Sequence, residues 1–311
     1  MGRVRLALAL GVLMVGGTAA AESAVRVLFV GNSFFFGAVS SAEHYRPDSV
    51  HDLNATDYGG VPAIFKRFAE QAGFDVDVSL ETVPGAGFDE HYDHHQQQLD
   101  APWDVVIMST YSTLDRVHPG NPASLLHYTP LLAQLFVCRN PAVQLYLNAT
   151  WTRADETYLP SGHWVGQPVE AMASDVLKGY EAAQSAESLI RDVIPTGSAW
   201  IRAMHEGIAD PNPYDGLTPG LVDLWATDHY HASVAGYYLE ALMIYGVITG
   251  NDPAALGASE RAAGELALSA TLAVALQRVA HAEIAAHARP ERGTSSQSGC
   301  AAPSQASEAA H

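Results

Sequence analysis

The chain has 311 residues, 48% of them hydrophobic, and a formal net charge of −18. That is ample apolar material for one large domain or two small ones and excludes a disordered polymer. So acidic a balance argues against nucleic acid or an anionic lipid surface as the main partner.

The first segment, MGRVRLALALGVLMVGGTAAAES, sets Arg3 and Arg5 before an apolar run from Leu6 to Val15 and closes on Ala19, Ala20 and Ala21. This is the pattern of a secretory leader over residues 1–21, cut before Glu22, with an apolar core too short for a comfortable membrane span. Residues 1–21 contain no acid, so loss of the two arginines takes the charge from −18 to −20. No later segment is long and apolar enough to cross a bilayer. The expected location is the periplasm or the cell exterior, with no membrane span after cleavage. Cys138 and Cys300 lie far apart, and no disulfide is counted on between them.

The next stretch, RVLFVGNSFFFG at 26–37, begins with four apolar residues, Val27 to Val30, as a strand buried on both faces does. Gly31 and Asn32 then place the hydroxyl of Ser33 at the strand's carboxyl end, where open α/β sheets build ligand sites. Ser33 is thus either a turn residue or a nucleophile. Phe34 to Phe36 supply apolar contacts for the helix that follows.

Further strand candidates are VDVSLETV near 76–83, DVVIMS at 104–109, VQLYLNA at 143–149 and IRDVIP at 190–195. Helical spacing separates them, as in VPAIFKRFAEQAG and PASLLHYTPLLAQLF, and Pro or Gly marks many boundaries. Alternating strands and helices indicate a parallel sheet with right-handed crossovers, in one three-layer α/β domain over about 24–250.

Within that frame, HYDHH offers His91, His94 and His95 with Asp93. On a helix His91 and His95 share a face, but no metal-binding spacing accompanies them, and the segment reads as a solvated polar face without a metal. The long segment after 150, TWTRADETYLPSGHWVGQP, carries Trp151, Arg153, His163 and Trp164. Loops at that edge shape substrate pockets, so Trp151 and Arg153 are substrate-binding candidates, with a cover for the core as the other reading.

Near the end of the domain stands DLWATDHYHASVAGYYLEALMIYG, where Asp228 precedes His231 by three residues, just before a helix capped by Ser233. A serine needs a general base to act as a nucleophile, and the base needs an orienting group. Asp228 can accept the Nδ1 hydrogen of His231 and leave Nε2 to take a proton from Ser33. Beyond it, residues 257–288 are rich in Ala and Leu and read as one long supporting helix. Residues 289–311 lack periodicity and read as a disordered tail.

A Gly-x-Ser directly after the first strand, joined to an Asp-x-x-His directly before the last helix of the domain, resembles the SGNH (GDSL-type) hydrolase superfamily. The chain reads GNS where many members read GDS. The resemblance spans about 25–249, is strongest at the two ends, and implies a three-layer α/β/α flavodoxin-like sandwich with a mainly parallel sheet over 22–288. It implies Ser33, Asp228 and His231 as catalytic triad, with no cofactor. It also implies an oxyanion hole built from the N–H of Ser33, a Gly N–H after the second strand, and usually an Asn side chain after the third. Gly85 matches the second donor with Gly87 in reserve, although either can simply form the turn. At the third position the chain has Ser109, Thr110, Tyr111 and Ser112 with no Asn. Asn148, after the next strand, is the substitute, beside a turn or capping role.

The resulting expectation is a secreted serine esterase acting through an acyl-enzyme on a small-molecule or carbohydrate ester, with O-acetyl groups on carbohydrate as one candidate. A lipid esterase or thioesterase, and a non-catalytic glycan-binding protein on the same fold, are the alternatives.

Overall fold

The computed structural model describes residues 24–287. The expected leader (1–21) and tail (289–311) therefore lie outside the described residues. In chain order the elements are β1 (Val25–Gly31), α1 (Ser33–Phe36), β2 (His51–Asp52), α2 (Gly60–Ala72), β3 (Val76–Thr82), α3 (Phe88–His94), α4 (Gln96–Leu99), β4 (Val105–Met108) and α5 (Ala123–Arg139). There follow β5 (Gln144–Asn148), α6 (Ala154–Tyr158), α7 (Glu170–Ala186), β6 (Ile190–Ile194), α8 (Thr196–His205), α9 (Val234–Thr249), α10 (Arg261–Glu265) and α11 (Ala270–His287).

The six strands form one parallel sheet in the order β2-β3-β1-β4-β5-β6. Successive side chains of β1 point to opposite faces. Val27 and Phe29 enter a core shared with α1, α2, α8, α9 and α11, and Leu28 and Val30 enter a second core shared with α3, α5 and α7. Both faces are therefore covered, and the fold is the three-layer α/β sandwich that the run of apolar residues in β1 calls for. The chain leaves β1 toward β3 on one side and later returns to β4 on the other. That reversal opens a crevice at the carboxyl ends of β1, β3 and β4.

α9 lies against β6, α2, α8 and α11, and Ala235 to Gly246 are all buried. A helix apolar on every side belongs inside the molecule. Ser233 caps it, its Oγ accepting the Gly236 N–H at 3.4 Å, and Gly250 closes it at φ +69°. Among the described residues no helix is long and apolar enough to cross a membrane.

Two expectations are corrected. The single helix over 257–288 is broken between Glu265 and Ala270. Glu260 caps α10 through bonds from the N–H groups of Ala262 and Ala263 at 2.6 and 2.7 Å. Ala267 then adopts φ +59°, and Ser269 accepts the Leu272 N–H to start α11. Local caps thus outweigh the uniform Ala and Leu content. Cys138 on α5 is disulfide-bonded, which the spacing alone did not support. The chain's other cysteine, Cys300, lies outside the described residues.

Candidate active site

β1 ends where its backbone must pass close to its neighbours. A Cβ at Gly31 would stand 2.8 Å from the Phe35 ring, so a side chain there would displace the turn. Asn32 is extended and caps α1, its Oδ1 accepting the Phe34 N–H at 3.1 Å. Its amide nitrogen donates to the carbonyls of Ala86 and Thr110 at 2.8 and 3.2 Å. Ser33 follows as the first helical residue, and Gly37 at φ +83° stops α1 after four residues. The three phenylalanines are buried. Phe35 packs edge-on against Phe29, and Phe36 stacks on Tyr58. Tyr237 of α9, which no sequence pattern singled out, donates to the carbonyls of Ser33 and Ala38 at 3.3 and 3.1 Å.

The loop before α9 brings the other end of the domain to the same point. His231 Nε2 lies 2.9 Å from Ser33 Oγ, and His231 Nδ1 lies 2.6 Å from Asp228 Oδ2. The remaining carboxylate oxygen, Oδ1, accepts the N–H groups of Tyr230 and His231 at 3.1 and 3.0 Å. The three-residue spacing thus closes a turn as well as the hydrogen bond between the two side chains, with His229 at φ +55° inside it. A bridge between Trp225 and Ala232 and the bond from Ser233 Oγ to the Asp223 carbonyl, 2.8 Å, pin the loop to the end of α9. Burial alone would raise the Asp228 carboxyl, but the bonds from the His231 ring and from the two N–H groups outweigh it and hold the carboxyl below its ordinary range. The arrangement is a hydroxyl, an imidazole and an ionised carboxylate in series, which suits proton withdrawal from Ser33.

Around this series the remaining candidates separate. Gly85 is exposed at φ +70° with open space where a Cβ would be, while Gly87 is buried and a Cβ there would collide with the Tyr111 ring. The backbone N–H groups of Ser33 and Gly85 find no acceptor among the described residues. Asn148 is fully buried, and its amide is engaged at both ends. Nδ2 donates to Glu240 at 2.7 Å, and Oδ1 accepts from Thr196 at 2.7 Å. It braces β5 against α8 and α9, and its place as third oxyanion donor is withdrawn. Burial pushes the Glu240 carboxyl well above its ordinary range, against the hydrogen bond from Asn148.

Trp151 is also corrected. It is fully buried, stacked between Trp200 at 4.6 Å and Phe34 at 4.3 Å, and it donates to the Tyr230 carbonyl at 3.3 Å. It floors the site rather than facing substrate. Arg153 lies over the Tyr230 ring at 3.9 Å and is paired with Asp155 at 2.5 Å and Glu156 at 3.7 Å. Tyr230 in turn contacts the His231 ring at 4.1 Å, so Arg153 steadies the imidazole from behind. Its guanidinium is held by Asp155 with Glu156 nearby, at the edge of the site.

The HYDHH segment is not a solvated face throughout. His91 is fully buried with Nδ1 against the equally buried Glu81, and His95 Nδ1 lies 3.3 Å from the same carboxylate. His91 and His95 do share a helical side, drawn inward by an acid on β3. Among the described residues no cluster of three such groups is arranged to hold a metal.

No family model and no curated relative matches the sequence. Solved structures do. A DUF4886 family protein from Bacteroides uniformis superposes with a TM-score of 0.57 at 16% identity, covering 85% of this chain and 95% of its own. A putative GDSL-like lipase from Parabacteroides merdae gives 0.48 at 16% identity over 74% and 97%. TesA gives 0.45 at 14% identity over 72% and 98%. The superposition on the DUF4886 family protein shows a shared fold. Ser33 stands just after β1 and the Asp228–His231 pair just before α9, so the packing of α9 on the sheet explains why residues 198 apart in sequence meet.

Proposed function

We propose that the chain is an exported serine esterase of the SGNH type that hydrolyses small esters through an acyl-enzyme. The observation that carries this reading is the continuous hydrogen-bonded series Ser33–His231–Asp228, with links of 2.9 and 2.6 Å. His231 Nε2 takes the proton as Ser33 Oγ attacks the ester carbonyl. The N–H groups of Ser33 and Gly85 receive the oxyanion, with the Gly87 N–H in reserve. Protonated His231 then gives its proton to the departing alcohol, leaving an acyl-Ser33. Water, deprotonated by the same nitrogen, releases the acid and restores the serine. Asp228 stays ionised and keeps the Nδ1–H tautomer.

A neutral substrate suits a chain this acidic, and a small-molecule ester or an O-acetylated carbohydrate fits that requirement. The leader-like N-terminus supports the exported reading. p-Nitrophenyl esters of increasing chain length test the acyl preference. A steep fall beyond acetyl is expected, and a preference for long chains would shift the reading to a lipid esterase or thioesterase.

The commitment of Asn148 to the core favours a second reading, a glycan-binding protein that keeps the fold without turnover. Labelling of folded protein by a fluorophosphonate separates the two, because only an activated serine reacts.

A further inference from the structure

Asn32 is buried, 4% exposed, at the point where the sheet reverses direction. Its side chain makes three contacts, each with backbone. The Oδ1 fixes the start of α1 through the Phe34 N–H. The two hydrogens of Nδ2 are shared between the carbonyl of Ala86, in the loop after β3, and that of Thr110, in the loop after β4. The bond to Ala86 fixes the peptide plane joining Ala86 to Gly87, within the loop that carries both glycine donors of the proposed oxyanion hole. The bond to Thr110 fixes the other neighbour of β1. Only a side chain with two donors and one acceptor satisfies this set; a carboxylate would present a negative oxygen to two carbonyl oxygens.

We propose that Asn32 is a positioning residue for the reaction: its amide locks the glycine loop to the nucleophile turn, and a carboxyl group at this position works only when protonated. The proposal rests on the esterase reading, since what it positions is the oxyanion loop relative to Ser33. It also makes the GNS sequence of this chain a requirement of its own loops.

The test compares Asn32→Asp and Asn32→Ala with wild type, measuring p-nitrophenyl acetate hydrolysis, the rate of fluorophosphonate labelling and the thermal midpoint between pH 8 and pH 5. Nearby titratable groups, His231, Asp89, Tyr111 and Tyr180, are common to all three proteins. The ratio of variant to wild type therefore reports position 32 alone. At pH 8, N32D is expected to lose about 10- to 100-fold in kcat and labelling rate with KM little changed, the scale of a displaced catalytic group. Its ratio to wild type should climb as pH falls and the buried carboxyl takes a proton, which restores one donor. N32A should lose activity with a ratio that stays flat. If N32D is too unstable to assay at pH 8, its midpoint deficit must still shrink toward pH 5. A deficit unchanged with pH would overturn the proposal. So would N32D matching wild type at pH 8 while wild type labels normally. Wild type that fails to label would overturn it together with the esterase reading.

Discussion

Asp228 holds His231 at two points: one carboxylate oxygen meets the imidazole Nδ1 at 2.6 Å and the other takes the same residue's backbone N–H at 3.0 Å. Ring orientation and loop shape are therefore set by a single side chain. Asp228→Asn keeps an oxygen for the backbone bonds but turns an amide hydrogen toward Nδ1, which favours the wrong tautomer. The comparable change in serine proteases costs about 10⁴-fold. Here kcat is expected to fall at least about 10-fold with the thermal midpoint nearly unchanged. His231→Ala should be worse, because no base remains beside Ser33, while His229→Ala should stay active. Steady-state kinetics on the three variants decide whether His231 is the base.

The buried Glu240 makes stability depend on pH. Its carboxyl is raised in the folded chain, chiefly by burial, so it stays protonated where the unfolded chain, with a carboxyl near pH 4.3, has ionised. Its contribution is complete below that pH and is lost as pH rises toward the folded value, at about 1.4 kcal/mol per pH unit. Glu240→Gln carries no proton and can still accept from Asn148. Its thermal midpoint relative to wild type is expected to improve steadily from pH 5 to pH 8. Parallel melting curves across that range would show that Glu240 folds ionised.

Trp151 supports the nucleophile turn from beneath. Removing its ring from between Phe34 and Trp200 should cost about 3–5 kcal/mol, the usual range for an aromatic core truncation. For Trp151→Ala, denaturant unfolding should show this loss. An unchanged midpoint combined with a raised KM would instead return Trp151 to the substrate pocket.

What could be read from the sequence followed the range of the forces involved. The Gly-x-Ser turn and the Asp-x-x-His turn are short-range devices, visible as spacing, and the parallel sheet declared itself through apolar runs between helical segments. Asn148 and Trp151 misled because their partners are distant: Glu240 stands 92 residues from Asn148, and Trp200 claims the face of Trp151 that a substrate would need. His91 looked polar by composition, yet Glu81 on β3 gives it a buried counterpart that no local pattern shows. The break before α11 depended on a single serine cap and one left-handed alanine within a stretch whose composition favours helix throughout.

The most direct measurement of the central claim is peptide mapping by mass spectrometry after treating the folded protein with a fluorophosphonate, in wild type and in Ser33→Ala. The account predicts one adduct, on the peptide containing Ser33, and in Ser33→Ala no adduct and no ester hydrolysis, with the thermal midpoint nearly unchanged. An unlabelled wild type, or a Ser33→Ala variant that still labels and turns over ester, would contradict it.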